Sequence, residues 1–320
     1  MASITVTKKK QKQKIKEPQI KITWKEIKRQ KVLLIWSAII VVYGVIFCYL
    51  PLGGWLMAFQ NYKPKDGLLH SSFVGLAKFQ QLFSDATFLR VIRNTLAMGV
   101  INLVVTFVMA IVFAILLNEV KSQGGKKVVQ TISYLPHFLS TVIVCGMIRT
   151  LVSVDGGLVN AIVKFFGGEA MPFLGMPEYF RTIYTVSEVW QSVGWDSIVF
   201  IAAMAAIDQE LYEAAMVDGA GVLKRMWHIT IPGIMPVITI MLILKVGNIL
   251  NLGYEKVLLL YSPQVYSTAD VISTYVYREG VVNQNYSFAT AVNLFTSVIS
   301  LILVLGTNKI TKKLGQEGIW

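Results

Sequence analysis

Six long apolar stretches dominate this 320-residue chain and restrict the folds available to it. A helix that crosses a lipid bilayer needs about 20 consecutive, mainly apolar residues. Over the whole chain, 54% of residues are hydrophobic and only 15% are charged, which is typical of an integral membrane protein. The sequence therefore predicts an all-α membrane protein with six transmembrane helices, at 32–59, 95–117, 128–152, 181–207, 231–252 and 289–306.

The formal net charge of +12 comes from lysines and arginines at the N-terminus and in short connections between the apolar stretches. This distribution indicates membrane orientation rather than nucleic-acid binding, because basic residues collect on the cytoplasmic side. Six crossings then place the connections 118–127 and 208–230 and both termini in the cytoplasm of a bacterial cell. The predicted organisation is a basic cytoplasmic tail (1–31), a six-helix transmembrane domain (32–308) and a cytoplasmic C-terminal tail (309–320).

A polar segment with several glycines separates the fourth and fifth apolar stretches. Asp208 is predicted to cap a short helix, and Gly219 is predicted to end it in a left-handed conformation. Ala214 and Ala215 are small enough for another protein's backbone to approach, and Pro232 suits the start of the next helix. These features predict a docking surface; the alternative is an ordinary cytoplasmic loop that is amphipathic by chance.

The same segment resembles the EAA signature of ABC importer permeases, with isoleucine where that family usually has leucine. The matching positions are Glu213, Ala214, Ala215, Asp218, Gly219, Ala220, Ile229, Ile231, Pro232 and Pro236. Further segments extend the similarity to LplB-type permeases of carbohydrate ABC importers. They are QNYKP from Gln60, the span from Asn94 to Asn118, SYLPHFLSTVIV from Ser133, Trp190 with Gly194 and Trp195, and TADVISTYVYREG from Thr268.

The resemblance implies the type I importer permease fold, in which a cytoplasmic coupling helix transmits movements of an ATPase to the membrane helices. It implies a second permease subunit in a heterodimer, two copies of the ABC ATPase, an extracellular solute-binding lipoprotein, and oligosaccharides or polysaccharide fragments as substrates. The chain itself would be non-catalytic and without cofactor, with ATP and Mg²⁺ on the ATPase. The implied coupling residues are Glu213, Ala214, Ala215, Asp218, Gly219, Ala220 and Pro232.

Polar and aromatic residues within the apolar stretches are candidates for the substrate path, because polar groups in a membrane are costly. They are Glu188, Trp190, Gln191, Trp195, Lys245, Asn248, Asn251 and Asn293. Amides and aromatic rings suit a sugar, so we expect recognition without a charged site. Packing between helices is the alternative role for each. Lys245 could extend to the membrane surface, pair with Glu188 or face a wet cavity.

Three other functional classes remain open. A permease for a non-sugar solute such as a peptide should have a more charged cavity, and a self-sufficient secondary transporter should show two similar halves, which are not visible. A membrane-embedded enzyme would need paired catalytic groups, for which Glu188 and Asp196 are the candidates. The three histidines are scattered, so no metal site is expected, and the chain has no Gly-rich phosphate loop of its own.

Overall fold

The computed structural model describes residues 28–313, 315 and 318–319. Most of the predicted basic tail, and residues 314, 316, 317 and 320 of the predicted C-terminal tail, lie outside the described residues. Within them the regular secondary structure is helical apart from one small antiparallel hairpin, β1 (Gln60–Asn61) with β2 (Ser72–Phe73).

The α-helices are numbered in chain order. They are α1 (Lys31–Gly44), α2 (Gly67–His70), α3 (Ala77–Ser84), α4 (Ala86–Asn118), α5 (Gln123–Tyr134), α6 (Thr141–Leu151), α7 (Leu158–Phe165), α8 (Pro177–Ala205), α9 (Gln209–Val217), α10 (Val222–Arg225), α11 (Ile231–Gly247), α12 (Tyr254–Leu260), α13 (Tyr266–Ala269), α14 (Ile272–Tyr277) and α15 (Tyr286–Lys313). Helical turns of π type follow α1, α10 and α14, at Val45–Tyr49, Met226–Thr230 and Arg278–Val282. Tighter 3-10 segments occur at Leu50–Phe59, Leu135–Phe138, Phe173–Gly175 and Pro263–Val265.

Four helical segments in the described residues are long and apolar enough to cross a membrane: Lys31–Phe59, Ala86–Asn118, Val222–Gly247 and Tyr286–Lys313. Two bent pairs raise the number to six if each pair is one span. They are Gln123–Phe138 with Thr141–Leu151, bent by 100°, and Pro177–Ala205 with Gln209–Val217, bent by 73°. The predicted all-α membrane fold is confirmed.

The third predicted span, 128–152, is broken rather than continuous. A 3-10 turn containing Pro136 ends the first half, and Ser140 caps the second half by accepting a hydrogen bond from the Ile143 N–H at 3.4 Å. Proline has no N–H to continue the helical ladder, so the chain changes direction just after it. The break leaves the Leu139 carbonyl available to a side chain of another helix, the Gln191 amide of α8.

Pro232 is the second residue of α11, so the predicted helix start is confirmed. The chain is nevertheless helical without a break from Val222 to Gly247. A π turn, Met226–Thr230, comes directly before α11. Because proline cannot donate to the carbonyl one turn earlier and crowds it, the wider π turn accommodates Pro232 without ending the helix.

Residues 28–54 belong to the first of two compact units of the chain. None of their side chains is buried, and α1 exposes large apolar side chains such as Trp36 and Ile40. An apolar helix of this kind suits a lipid environment.

Helix α8 is central to residues 55–319 and packs most extensively against α4. One apolar cluster joins α4, α6, α8 and α12 through residues such as Met98, Val144, Phe180, Tyr184 and Val257. A second joins α4, α8 and α11 through residues such as Phe107, Ala110, Phe200, Met204 and Ile234. The third packs α15 against α4 and α14, with Phe88, Tyr275 and Phe288 among its members.

The approach of α8 to α5 depends on Gly194, since a Cβ there would collide with the Ser133 carbonyl. Gly194→Ala should therefore force the two helices apart and lower the free energy of unfolding by about 1–3 kcal/mol. Thermal unfolding in detergent measures the effect. Gly146→Ala is the matched control, because a Cβ at Gly146 meets nothing within 4 Å; equal losses in both variants would contradict this account of the packing.

Candidate functional site

The short helix α9 has the ends that the sequence predicts. The Asp208 side chain caps it by accepting a hydrogen bond from the Glu210 N–H at 3.0 Å. At the other end Gly219 has a φ of +72°, and the Ala220 N–H bonds the Ala215 carbonyl at 2.8 Å. This arrangement is a Schellman motif, which needs a left-handed residue at the position of Gly219. Both predictions are confirmed.

The surface of α9 is open. None of its side chains is buried, and Glu213 has no ion-pair partner among residues 28–313. Of the other predicted coupling residues, Ala214, Asp218, Gly219 and Pro232 are exposed, and Ala215 and Ala220 are half-buried. Large apolar side chains surround them on the same connection, namely Leu211, Met216, Val217, Leu223 and Trp227, with Val217 89% exposed. An exposed apolar patch of this kind marks a protein interaction surface.

Helix α9 is attached to two membrane helices. Residues 206–208 join it directly to the end of α8. In its middle the Tyr212 hydroxyl lies 2.9 Å from the hydroxyl of Thr230, which is buried at the start of the fifth span. Sequence reasoning missed this contact, for which the only signal was a tyrosine inside the motif and a threonine at the edge of an apolar run. A force on α9 therefore reaches both α8 and α11.

A polar cavity of about 760 Å³ lies between α4, the break before α6, α8, α11 and α12. Glu188, Gln191 and Lys245 are the predicted path residues that line it. The other lining residues are Asn102, Thr106, His137, Leu139, Ser140, Thr141, Ser192, Asp196, Gly253, Tyr254, Glu255 and Lys256. The break in the third span forms part of this wall, because His137, Leu139, Ser140 and Thr141 line the cavity.

Two ion pairs occupy the cavity wall. Lys245 Nζ is 2.6 Å from Asp196 Oδ2, and Lys256 Nζ is 2.6 Å from Glu188 Oε2. The cavity wall is therefore charged, with ionisable side chains from α8, α11 and α12 facing the same space. Lys245 pairs with Asp196 and not with Glu188. Glu188 and Asp196 each pair with a different lysine. This arrangement does not match the membrane-embedded enzyme, in which the two carboxylates would act on one reacting group.

The two predicted tryptophans lie in different places. Trp195 stacks on His137 with ring centroids 4.4 Å apart and planes 3° apart, which brings α8 against the turn before α6. Trp190 lines a separate apolar cavity of about 410 Å³ between α6 and α8. The Gln191 amide donates to the Leu139 carbonyl at 3.4 Å, at the break in the third span.

The three predicted asparagines are not part of the polar cavity. The Asn248 amide donates to the Leu244 carbonyl of its own helix at 3.2 Å, and Asn251 is exposed. Asn293 lines another cavity, of about 470 Å³, between α14 and α15. Lys245 lines the polar cavity and pairs with Asp196, whereas Asn248 does not line it.

A buried polar network fixes the connection between the fifth and sixth spans. Asp270 is fully buried and pairs with Arg278 at 2.6 Å, while the Asn94 amide donates to the Asp270 carbonyl at 3.1 Å. The Tyr275 hydroxyl donates to Asp85, and burial together with this carboxylate raises the pKa of Tyr275. The tyrosine therefore stays neutral and keeps its proton for the bond. This network holds α13 and α14 against α4.

A bundle of apolar helices around a polar cavity, with the exposed helix α9 between two of the spans, is typical of a multi-pass membrane transport subunit. The sequence model of one family, described as the binding-protein-dependent transport system inner membrane component, matches residues 107–315. The chain belongs to this family of ABC permeases.

Close relatives have been described in Bacillus subtilis (strain 168). The polygalacturonan/rhamnogalacturonan transport system permease protein YteP is 45% identical over 279 residues, covering 87% of this chain and 87% of the relative. Protein LplB is 41% identical over 300 residues, covering 93% and 94%. Among solved structures, a bacterial alginate ABC transporter in complex with an alginate pentasaccharide-bound periplasmic protein is similar, with a TM-score of 0.85 and 41% identity. That comparison covers 92% of this chain and 99% of the other.

The Lys245–Asp196 pair should behave as one coupled unit. Both side chains are partly buried, so Lys245→Gln or Asp196→Asn alone leaves an unpaired charge and should cost about 1–3 kcal/mol of unfolding free energy. The double variant should cost clearly less than the sum of the two. Unfolding in detergent of the four proteins checks this, and strictly additive losses would show that the two groups do not interact.

Proposed function

We propose that this chain is the permease subunit of an ATP-driven importer of oligosaccharides, with the polar cavity as the substrate path. The observation that carries the proposal is α9, a short helix with no buried side chain that is nevertheless attached to α8 and α11. An exposed helix connected in this way can receive a movement from a partner and pass it to the cavity walls.

The proposed orientation places α9 in the cytoplasm. The connection 118–127 has Lys121, Lys126 and Lys127 against one acid, Glu119, which favours the cytoplasmic side. The connection with α9 lies two spans further along the chain and so faces the same side. Residues 253–285 then lie outside, and both tails, 1–31 and 309–320, lie in the cytoplasm of a bacterial cell.

The proposed partners are a second permease subunit, two copies of an ABC ATPase and an extracellular solute-binding lipoprotein. The similar alginate transporter was solved together with a periplasmic protein that carries the sugar, which supports the binding-protein partner. ATP and Mg²⁺ would bind the ATPase, and this chain would need no cofactor. Glu213 would face a basic residue of the ATPase, with Ala214 and Ala215 allowing close contact, while Asp218, Gly219, Ala220 and Pro232 shape the helix and its exit.

The proposed substrates are acidic oligosaccharides. YteP is described as a permease for polygalacturonan and rhamnogalacturonan, and a second similar structure as a transporter of the acidic polysaccharide alginate. The cavity of about 760 Å³ is in the range of small-molecule sites, and its wall carries Lys245 and Lys256 beside the carboxylates of Glu188, Asp196 and Glu255. Gln191 and Ser192 add hydrogen-bonding groups for sugar hydroxyls.

In the proposed cycle, nucleotide-driven closure of the ATPase moves α9. The movement reaches α8 through residues 206–208 and α11 through Tyr212 and Thr230. Because α8 and α11 both line the cavity, access can change from one side of the membrane to the other. The chain moves the sugar without changing a covalent bond.

Charge reversal on α9 tests the coupling. Glu213→Lys should reduce co-purified ATPase, or substrate-stimulated ATP hydrolysis, by about tenfold, because an ion pair shielded at an interface is replaced by two like charges. Co-purification from native membranes followed by a hydrolysis assay measures both quantities.

Glu210→Lys is the matched control, since Glu210 is exposed on the same helix. It should stay within about twofold of the parent, as expected for a surface charge. If the unaltered chain recovers no ATPase, or if both variants fail equally, the proposed coupling is refuted.

A further inference from the structure

Helix α12 forms part of the cavity wall on the side away from α9. Its first residues, Tyr254, Glu255 and Lys256, line the cavity, while Val257 and Leu260 are buried in the apolar cluster with α6 and α8. The helix belongs to the connection between the fifth and sixth spans, whereas α9 lies before the fifth span. One crossing separates them, so they lie on opposite sides of the membrane.

Two kinds of contact hold α12 in this position. On one side α6 binds its backbone: the Arg149 guanidinium donates to the Leu259 carbonyl, and Cys145 Sγ lies 3.9 Å from the Lys256 carbonyl oxygen. On the other side a charged contact reaches α8, where Lys256 Nζ meets Glu188 Oε2 at 2.6 Å. In the described residues this is the one ion pair between α12 and the rest of the chain.

Lys256 is 4% exposed, which is exceptional for lysine. An ammonium group has three N–H donors, and Glu188 is its one hydrogen-bond acceptor among residues 28–313. The ring of Tyr184 adds a weaker contact, 5.8 Å from Nζ to the ring centroid. Donors are therefore left for a second carboxylate.

Glu188 is more exposed than Lys256. The Glu188 side chain is 30% exposed and lines the cavity, so it can be hydrated if the lysine leaves. A buried ammonium without a counter-ion is strongly unfavourable. Lys256 can consequently leave Glu188 at low cost only when another anion takes its place.

We propose that Lys256 is a specificity-determining residue, whose ammonium exchanges Glu188 for a carboxylate of the arriving acidic oligosaccharide and thereby releases α12 from α8. This inference rests on the proposed import of acidic oligosaccharides and adds the recognising residue and its consequence. A neutral sugar offers no anion, so it leaves the Lys256–Glu188 pair and the position of α12 unchanged. The Lys245–Asp196 pair joins two spans and does not involve α12.

Cys145 is a built-in reporter of α12. Its side chain is 2% exposed and lies beneath the Lys256 backbone, and the other cysteine, Cys48, is exposed and can be replaced by alanine. The experiment labels Cys145 with a membrane-impermeant maleimide added outside right-side-out vesicles that contain the complete importer in the Cys48→Ala background.

Breaking the pair should expose the thiol. Glu188→Gln should raise the labelling rate by about tenfold, because it leaves Lys256 buried without a counter-ion. The exchange of charges, Glu188→Lys with Lys256→Glu, should return the rate close to that of the parent. Asp196→Asn is the matched control and should leave Cys145 protected. Equal exposure by Asp196→Asn, or continued protection in Glu188→Gln, would overturn the inference.

The second measurement tests recognition of the carboxylate. Trigalacturonate and its methyl ester are each added at a few millimolar to the importer without the binding protein, so that both reach the cavity directly. The acid should raise Cys145 labelling and the ester should not. The same rate with both compounds, whether raised or unchanged, would overturn the proposed exchange.

Failure of this inference and failure of the proposed function give different results. If the complete importer takes up trigalacturonate with ATP while labelling is insensitive to the carboxylate, import stands and the exchange does not. If no ATP-dependent uptake occurs, the proposed function fails, and the Glu188→Gln labelling still reports whether the ion pair holds α12.

Discussion

An ionised side chain inside a bilayer needs a counter-ion, and α8 satisfies this requirement twice. Glu188 and Asp196 lie two helical turns apart on α8, and each meets a lysine from a different element, Lys256 on α12 and Lys245 on α11. These pairs position both neighbouring elements around one cavity. Since residues 206–208 join α8 to α9, α8 connects the exposed surface of α9 to the charged cavity wall.

Features that depend on neighbouring residues could be predicted from the sequence. The six apolar stretches follow from local hydropathy, and each has a counterpart in the structure if the bent pairs count as single spans. The ends of α9 follow from Asp208 and Gly219, because a side-chain cap and a left-handed glycine act within a few residues. The resemblance to ABC permeases rests on the same local segment.

Features that depend on distant residues could not be predicted. Lys256 and Glu188 are 68 positions apart, and Lys245 and Asp196 are 49 apart, so spacing along one helix gives no information on their pairing. For the same reason the number and pairing of the charges in the cavity could not be predicted. The bend in the third span follows locally from Pro136, but its angle of 100° depends on packing against other helices.

In the proposed cycle, movements of α9 decide which side of the membrane has access to the cavity. Gln191 lines the cavity from α8 and can report this directly after Gln191→Cys, with Cys48 and Cys145 replaced by alanine. The measurement is thiol labelling from each side of the membrane, with and without ATP trapped on a hydrolysis-deficient ATPase. Labelling is expected from the cytoplasm without nucleotide and from outside with ATP. Labelling from the same side in both states would contradict the proposed cycle.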